Sequence, residues 1–319
     1  MAIERVAVIG AGEWGTALAQ AAATAGRQVM LIGRDAEVLN DINRNHTNSK
    51  HLGTQKLSTH ISASSRYSGA DLVILAVPAQ ATRTALAALG NLGEPVVLTA
   101  KGLEHGTLRR QSEILGEMAP NAVPFVLSGP SFASDVAAGR PTAVTLAGQY
   151  DDETDAIATA LAGPSFRLYA ARDMVGVELA GALKNVYALA AGAVDGANLG
   201  ASARAGLIAR AFAELSRIVP ALGGVAETLG GLAGLGDLTL SCTSAQSRNY
   251  RHGVALGRGE TPSGELAEGV FTAPVALQLA RQANVDAPLI EAVNLLLGGQ
   301  ASIEKIVAGL MSRPLKREN

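Results

Sequence analysis

Val6-Ala-Val-Ile-Gly10-Ala-Gly12-Glu-Trp-Gly15-Thr-Ala-Leu-Ala19 is the stretch that decides the fold. A short apolar run ends in Gly10-x-Gly12-x-x-Gly15, and an alanine-rich run follows. Three glycines at this spacing say little alone. Between a strand and a helix they form the turn that receives a dinucleotide. Gly10 permits the sharp bend, Gly12 puts no side chain in the way of a diphosphate, and Gly15 lets helix and strand approach closely. The anion then rests on free N–H groups at the positive end of the helix. The competing reading is a plain tight turn.

Working outward, residues 3–9, 28–32, 71–77, 95–99, 124–127 and 142–146 are β-branched or leucine-rich runs bounded by Gly, Pro or Asn, which predicts strands. Helices are predicted over 14–25, 36–44, 79–89 and 108–118. This alternation predicts the α/β class: a Rossmann-like, doubly wound, mostly parallel sheet covered on both faces. After about Ala171 the strand pattern stops. Helices are then predicted over 174–194, 202–219, 272–282, 288–297 and 303–311, with glycine-rich connectors such as Gly223-Gly224 between them. The expected organisation is a dinucleotide-binding domain, residues 1–171, followed by an all-α C-terminal substrate-binding domain, residues 172–319, with a cleft between them.

The totals narrow the function. The 319 residues are 48% apolar and 17% charged, with a formal net charge of -2, so neither a nucleic-acid nor a membrane-surface binder is expected. A single cysteine, Cys242, forbids an internal disulfide and fits a reducing compartment. No secretory signal or membrane span is expected, and a cytoplasmic protein is the reading. His46, His51, His60, His105 and His252 show no metal-ligand spacing, so no metal is expected. The basic stretch 313–317 reads as a solvated tail.

The second predicted strand ends at Leu31-Ile-Gly-Arg34, with Asp35 only at the next position. An acid at the strand end would hold the ribose hydroxyls of NAD(H), whereas a guanidinium suits a 2′-phosphate. NADP(H) is therefore the preferred cofactor and NAD(H) the alternative. Lys101, in Lys101-Gly-Leu-Glu104, and the segment Ser128-Gly-Pro-Ser-Phe-Ala133 both follow predicted strands, at the sheet edge where ligands bind in open α/β folds. In Glu178-Leu-Ala-Gly-Ala-Leu-Lys184-Asn-Val186 one ammonium sits among small and apolar residues, where lysines are uncommon. A structural ion pair or a snorkelling side chain is the competing account.

Taken in order, Gly-x-Gly-x-Trp-Gly-Thr-Ala-Leu, Ala76-Val-Pro78, Lys-Gly-Leu-Glu, Ser-Gly-Pro-Ser-Phe-Ala, Glu-Leu-x-Gly-Ala-Leu-Lys-Asn-Val, Gly234-Leu-Gly-Asp-Leu238 and Gln246-Ser-Arg-Asn249 span nearly the whole chain. The sequence resembles bacterial NAD(P)-dependent glycerol-3-phosphate dehydrogenases. That resemblance implies interconversion of dihydroxyacetone phosphate and sn-glycerol 3-phosphate for phospholipid synthesis, with Lys184 as the proton donor and acceptor. It implies cofactor contacts at Glu13, Trp14, Arg34, Lys101, Ala133, Arg248, Leu266 and Glu268, beside the turn glycines. It implies substrate contacts at Lys101, Gly129, Ser131, Lys184, Asp237, Ser247, Arg248 and Asn249. Glu13 would repel a diphosphate, so its contact is expected through the backbone.

The chemistry follows from the groups. As hydride reaches a ketone, its oxygen becomes alkoxide-like, and a nearby ammonium stabilises that charge and supplies the proton. Burial and the charge of Lys101 would lower the pKa of Lys184, while Asp237 would raise it and orient the amine. Arg248 can grip two phosphate oxygens, with Ser247 and Asn249 as neutral donors. Asp237 as a turn or capping residue, Ser247-Arg-Asn249 as a helix start, and Lys101 as a solvated loop lysine remain the alternatives. At the level of the whole protein they are a β-hydroxyacid dehydrogenase, a ketopantoate-type reductase, or a non-catalytic NADPH sensor. Cys242 reads as a buried, inert thiol. The apolar helical half leads to the expectation of a homodimer.

Overall fold

The apolar run after the N-terminus forms β1 (Arg5–Ile9), buried from Val6 onward, and the glycine turn leads straight into α1 (Glu13–Thr24). The computed structural model describes residues 2–312; the basic stretch 313–317 lies outside the described residues. Gly10 adopts a positive φ of 114°, and a Cβ there would lie 2.5 Å from the Ala76 carbonyl oxygen. A Cβ on Gly15 would fall 1.8 Å from the Gly10 oxygen, so the close helix–strand approach needs glycine at both places.

After α1 come β2 (Gln28–Ile32), α2 (Ala36–Asn45), the short α3 (Ser49–Leu52), β3 (Ile61–Ser64) and β4 (Leu72–Leu75). Then follow α4 (Thr82–Leu89), β5 (Val96–Leu98), α5 (Gln111–Met118), β6 (Pro124–Ser128), α6 (Ala133–Ala137), β7 (Thr142–Gly148), α7 (Asp151–Leu161) and β8 (Phe166–Ala171). One eight-stranded sheet results, in the order β3-β2-β1-β4-β5-β6-β7-β8. Every neighbouring pair is parallel except β6 with β7. Register is set by buried runs on both sides of β1, with Ile9 opposite both Ile32 and Leu75. Apolar layers cover the sheet on its two faces, one under α1, α6 and α7, the other under α4 and α5.

The chain order reverses at β1, between β2 and β4, so the crevice outside the carboxyl ends of β1 and β4 is the switch point of the sheet. The loop carrying Lys101 leaves β5 on the same side.

The remainder is helical: α8 (Met174–Gly196), α9 (Ala201–Ala221), α10 (Asp237–Thr243), α11 (Arg248–Gly257), α12 (Glu268–Gln282), α13 (Pro288–Leu297) and α14 (Ile303–Met311). α8 is apolar on every side and buried along nearly its whole length, as such a helix must be. It is long and apolar enough to cross a membrane, but its partners are the surrounding helices, and its residues dominate the core of this half. α11 crosses α8 at unusually short range; a Cβ on Gly253 would lie 2.0 Å from the Leu189 oxygen.

Several boundaries differ from the sequence expectation. β3 and β8 were not expected: β3 is a four-residue edge strand containing two serines, and β8 is a largely exposed edge strand. The helix expected from 108 begins at Gln111, because Leu108 takes a positive φ of 64° and Glu113 accepts the Arg110 backbone N–H at 2.9 Å. The segment 79–89 splits into a 3-10 turn, Ala79–Ala81, and α4. α7 and α10 were also not anticipated, α11 begins where the alternative reading of Ser247-Arg-Asn249 puts a helix start, and α12 starts at Glu268 rather than 272.

Candidate active site

A cavity of about 740 Å³ opens at the switch point, between the sheet edge and the helical half. Gly12, Glu13 and Trp14 form its wall on the side of α1, where the first-turn N–H groups of a helix have no intrahelical partner. A Cβ on Gly12 would meet nothing within 4 Å, so this glycine leaves space that no protein atom fills. Glu13 is exposed. The opposite wall holds Lys184 and Asn185 from α8, Asp237 and Ser241 from α10, and Ser247, Arg248 and Asn249 from the start of α11.

At its centre three charged groups meet. Lys184 is 8% exposed; its amine lies 3.0 Å from Asp237 Oδ1 and donates to Ser241 Oγ at 2.6 Å. The Lys101 amine lies 2.6 Å from the other Asp237 oxygen and donates to the Gly129 carbonyl at 2.9 Å. One buried carboxylate thus holds two amines, one from each half of the molecule. Burial pulls the Lys184 pKa down to about 8; attraction to Asp237 opposes this and repulsion from Lys101 adds to it. Burial pushes the Asp237 carboxyl up, but the two amines outweigh it and hold it below the usual carboxylate value. A π-helical turn, Leu232–Gly236, runs directly into Asp237 and sets where α10 starts.

Two asparagines lace the wall together. Asn185 donates to the Lys101 carbonyl at 2.8 Å, Asn249 donates to the Asn185 side chain at 2.9 Å, and Asn249 Oδ1 accepts the Gly269 N–H at 2.8 Å. Ser247 caps α11 by accepting the Tyr250 N–H, and Arg248 is exposed at the first helical residue. These three residues thus start a helix and also line the cavity. Glu268 begins α12; one of its oxygens accepts the Ala79 N–H at 3.1 Å, and the other is buried without a hydrogen-bond partner. Burial raises its pKa, against the pull of the Ala79 N–H and of Arg248.

Of the residues singled out in the sequence, Gly12, Glu13, Trp14, Lys101, Ser131, Ala133, Lys184, Asp237, Ser247, Arg248, Asn249, Leu266 and Glu268 line this one cavity. Gly10 and Gly15 lie beneath the turn, and Gly129 acts through its carbonyl on Lys101. Arg34 is exposed just past β2, outside the cavity wall. Asp35, beside it, caps α2 through the Glu37 and Val38 N–H groups and pairs with Lys50 at 2.7 Å. Ser241, Asn185 and His51 also line the cavity and were not singled out. Ser241 had a signal, standing one helical turn after Asp237. Cys242, next to it, is fully buried, and burial pushes its thiol up to about 12. Among the described residues no three His, Cys, Asp or Glu side chains gather as a metal site would require.

Comparison with known proteins places these features in a family. The description "NAD-dependent glycerol-3-phosphate dehydrogenase N-terminus" matches residues 5–154, and its C-terminal counterpart matches residues 173–308. The chain is 50% identical over 323 residues to a Brucella canis protein named glycerol-3-phosphate dehydrogenase (NAD(P)+), covering 99% of both. It is 49% identical over 324 residues to a Bradyrhizobium diazoefficiens protein of the same name, again covering 99% of both. A crystal structure of glycerol-3-phosphate dehydrogenase from Coxiella burnetii superposes with a TM-score of 0.91 at 34% identity, covering 98% of this chain and 99% of that one. A probable 2-dehydropantoate 2-reductase from Bacillus subtilis, at 15% identity and a TM-score of 0.58, shares the fold alone.

Proposed function

The chain belongs to the NAD-dependent glycerol-3-phosphate dehydrogenase family, an oxidoreductase family, and from that premise we propose how its residues interconvert dihydroxyacetone phosphate and sn-glycerol 3-phosphate. The observation that carries the reading is the buried Lys184 amine in the cavity wall, held by Asp237 and Ser241. A nicotinamide cofactor fits the free helix end and the unfilled space at Gly12. Gly12, Glu13 and Trp14 would hold its diphosphate end through backbone groups, with Ala133, Leu266 and Glu268 along the same wall. When bound in reduced form, it supplies the hydride.

Lys184, as the ammonium, faces the substrate carbonyl oxygen, stabilises the charge that develops there and gives up a proton to it. In the reverse direction its neutral amine takes the alcohol proton. A pKa near 8 keeps both forms within reach near neutral pH, which an unperturbed lysine would not allow. Asp237 keeps the amine charged enough to donate, and Ser241 fixes its direction. Arg248, Ser247 and Asn249 at the start of α11 take the phosphate, with Lys101 and Ser131 completing the wall.

The preference for NADP(H) belongs to the same reading. Exposed Arg34 offers a guanidinium to a 2′-phosphate, while the neighbouring Asp35 is already engaged in capping and in its pair with Lys50. Arg34→Asp should move the preference toward NADH, measured as the ratio of kcat/KM for the two cofactors. The reading extends to a cytoplasmic enzyme feeding glycerophospholipid synthesis and to a homodimer, the latter tested by sedimentation equilibrium.

The deciding experiment is NADPH oxidation followed with dihydroxyacetone phosphate and, separately, with 2-keto acids. Turnover of the phosphoester alone is expected; preferential turnover of a keto acid overturns the assignment of α11. Lys184→Ala should lower kcat by about 10²–10⁴-fold, the usual range for a lost general acid.

A further inference from the structure

Asn48 stands at the start of α3, where an asparagine ordinarily turns its side chain back to cap its own helix. Here it does not. Its amide nitrogen reaches across to the glycine turn and donates to the Ala11 carbonyl at 3.0 Å and to Thr16 Oγ1 at 2.8 Å. Asn48 and Thr16 are both wholly buried, and Asn48 Oδ1 has no partner. Leaving a buried acceptor unpaired is costly, so the amide keeps this arrangement against its own interest. Its orientation is fixed chemically, since the Ala11 carbonyl can only accept.

The second carbonyl of the turn is held from the same cluster. Thr16 Oγ1 donates to the Gly12 oxygen at 2.8 Å, and the Thr16 N–H reaches that oxygen at 3.0 Å. In a trans peptide the C=O and the following N–H point in opposite directions. Holding the Ala11 and Gly12 carbonyls inward therefore aims the Gly12 and Glu13 N–H groups outward, on the side where these two residues line the cavity.

We propose that Asn48, acting with Thr16, is a positioning residue for the cofactor diphosphate: it locks the two peptide planes of the Gly10–Gly12 turn with their N–H groups facing the anion. The inference rests on the reading of that turn as the dinucleotide site. Asn48 touches no ligand atom in this account; it removes the freedom of the turn to rotate a carbonyl toward the anion, so binding meets a site already oriented.

The test uses two probes on the full chain, 2′-phospho-ADP-ribose, which contains the diphosphate, and adenosine 2′-monophosphate, which does not. Asn48→Ala and Thr16→Val are each expected to weaken the first probe about tenfold, the scale of a hydrogen bond to a charged group, and to leave the second within about twofold. The double variant should lose little more than either single one, because both substitutions release the same planes. In turnover, KM for NADPH should rise while kcat at saturation stays near the parent value. Thr16→Val, which exchanges a hydroxyl for a methyl, carries the test if Asn48→Ala does not fold. Unchanged affinity for the diphosphate probe overturns the inference, and so does an equal loss of both probes, which would mark a merely structural role. A parent chain that binds neither probe overturns the cofactor reading itself, and the inference with it.

Discussion

Asp237 shows how much one side chain decides. Its two oxygens take one amine each, and the second of those amines, Lys184, is the group we propose as proton donor and acceptor. Reduction needs the ammonium, so its rate should fall as pH rises through about 8; oxidation needs the amine and should rise over the same interval. Asp237→Asn removes the attraction that opposes burial, leaving desolvation and the repulsion from Lys101. The Lys184 pKa should then drop below its parent value, and the alkaline limb of the reduction profile should move to lower pH. A profile of kcat/KM against pH checks this; an alkaline limb that stays in place would mean that another group titrates there.

At the level of the element, the glycine turn separates two jobs that its sequence pattern merges. Gly15→Ala would drive a Cβ into the Gly10 carbonyl, and overpacking of this kind costs about 1–3 kcal/mol or more. Gly12→Ala would meet no protein atom. The first variant should therefore melt at lower temperature even without ligand, while the second should melt like the parent and bind NADPH more weakly. Thermal melts of both, with and without NADPH, distinguish the two roles. β1, the turn and α1 were legible in the sequence because their logic is local: apolar run, glycines, alanines. α8 was legible because an uninterrupted apolar helix has one place to go. β3 and β8 were not, since exposed edge strands carry little apolar signal. α10 was hidden by its glycine-rich approach, and with it Ser241, whose relation to Asp237 appears only once the segment is a helix. The grouping of Lys101 with Asp237 joins residues 136 apart in the chain, and Asn48 lies 37 residues from the carbonyl it holds. No local pattern encodes either distance.

On the scale of the whole molecule, the sheet half and the helical half are joined by polar ties as well as by packing. Lys101 reaches Asp237, Asn185 reaches the Lys101 carbonyl, Glu268 takes the Ala79 N–H, and buried Glu178 takes both the N–H and the hydroxyl of Ser112. Breaking the halves apart would strand several of these groups, so they should unfold together. Trp14 is the chain's only tryptophan and sits in the sheet half, whereas far-UV circular dichroism reports mainly on helices. Denaturant curves from the two signals should coincide; two separated midpoints would show that the halves are independent. Saturating NADPH, at about 100 times its Kd, should add about 2.7 kcal/mol to both curves alike.

Cys242, the chain's single thiol, is fully buried beside Ser241, whose hydroxyl accepts from the Lys184 amine. Reagents such as iodoacetamide can label it only in the moments when α10 swings free, so the alkylation rate is a clock for the site's excursions. That clock requires no engineered label and runs in the unmodified chain. It should slow when NADPH and glycerol 3-phosphate are supplied together, and mass spectrometry of the labelled fraction would time it.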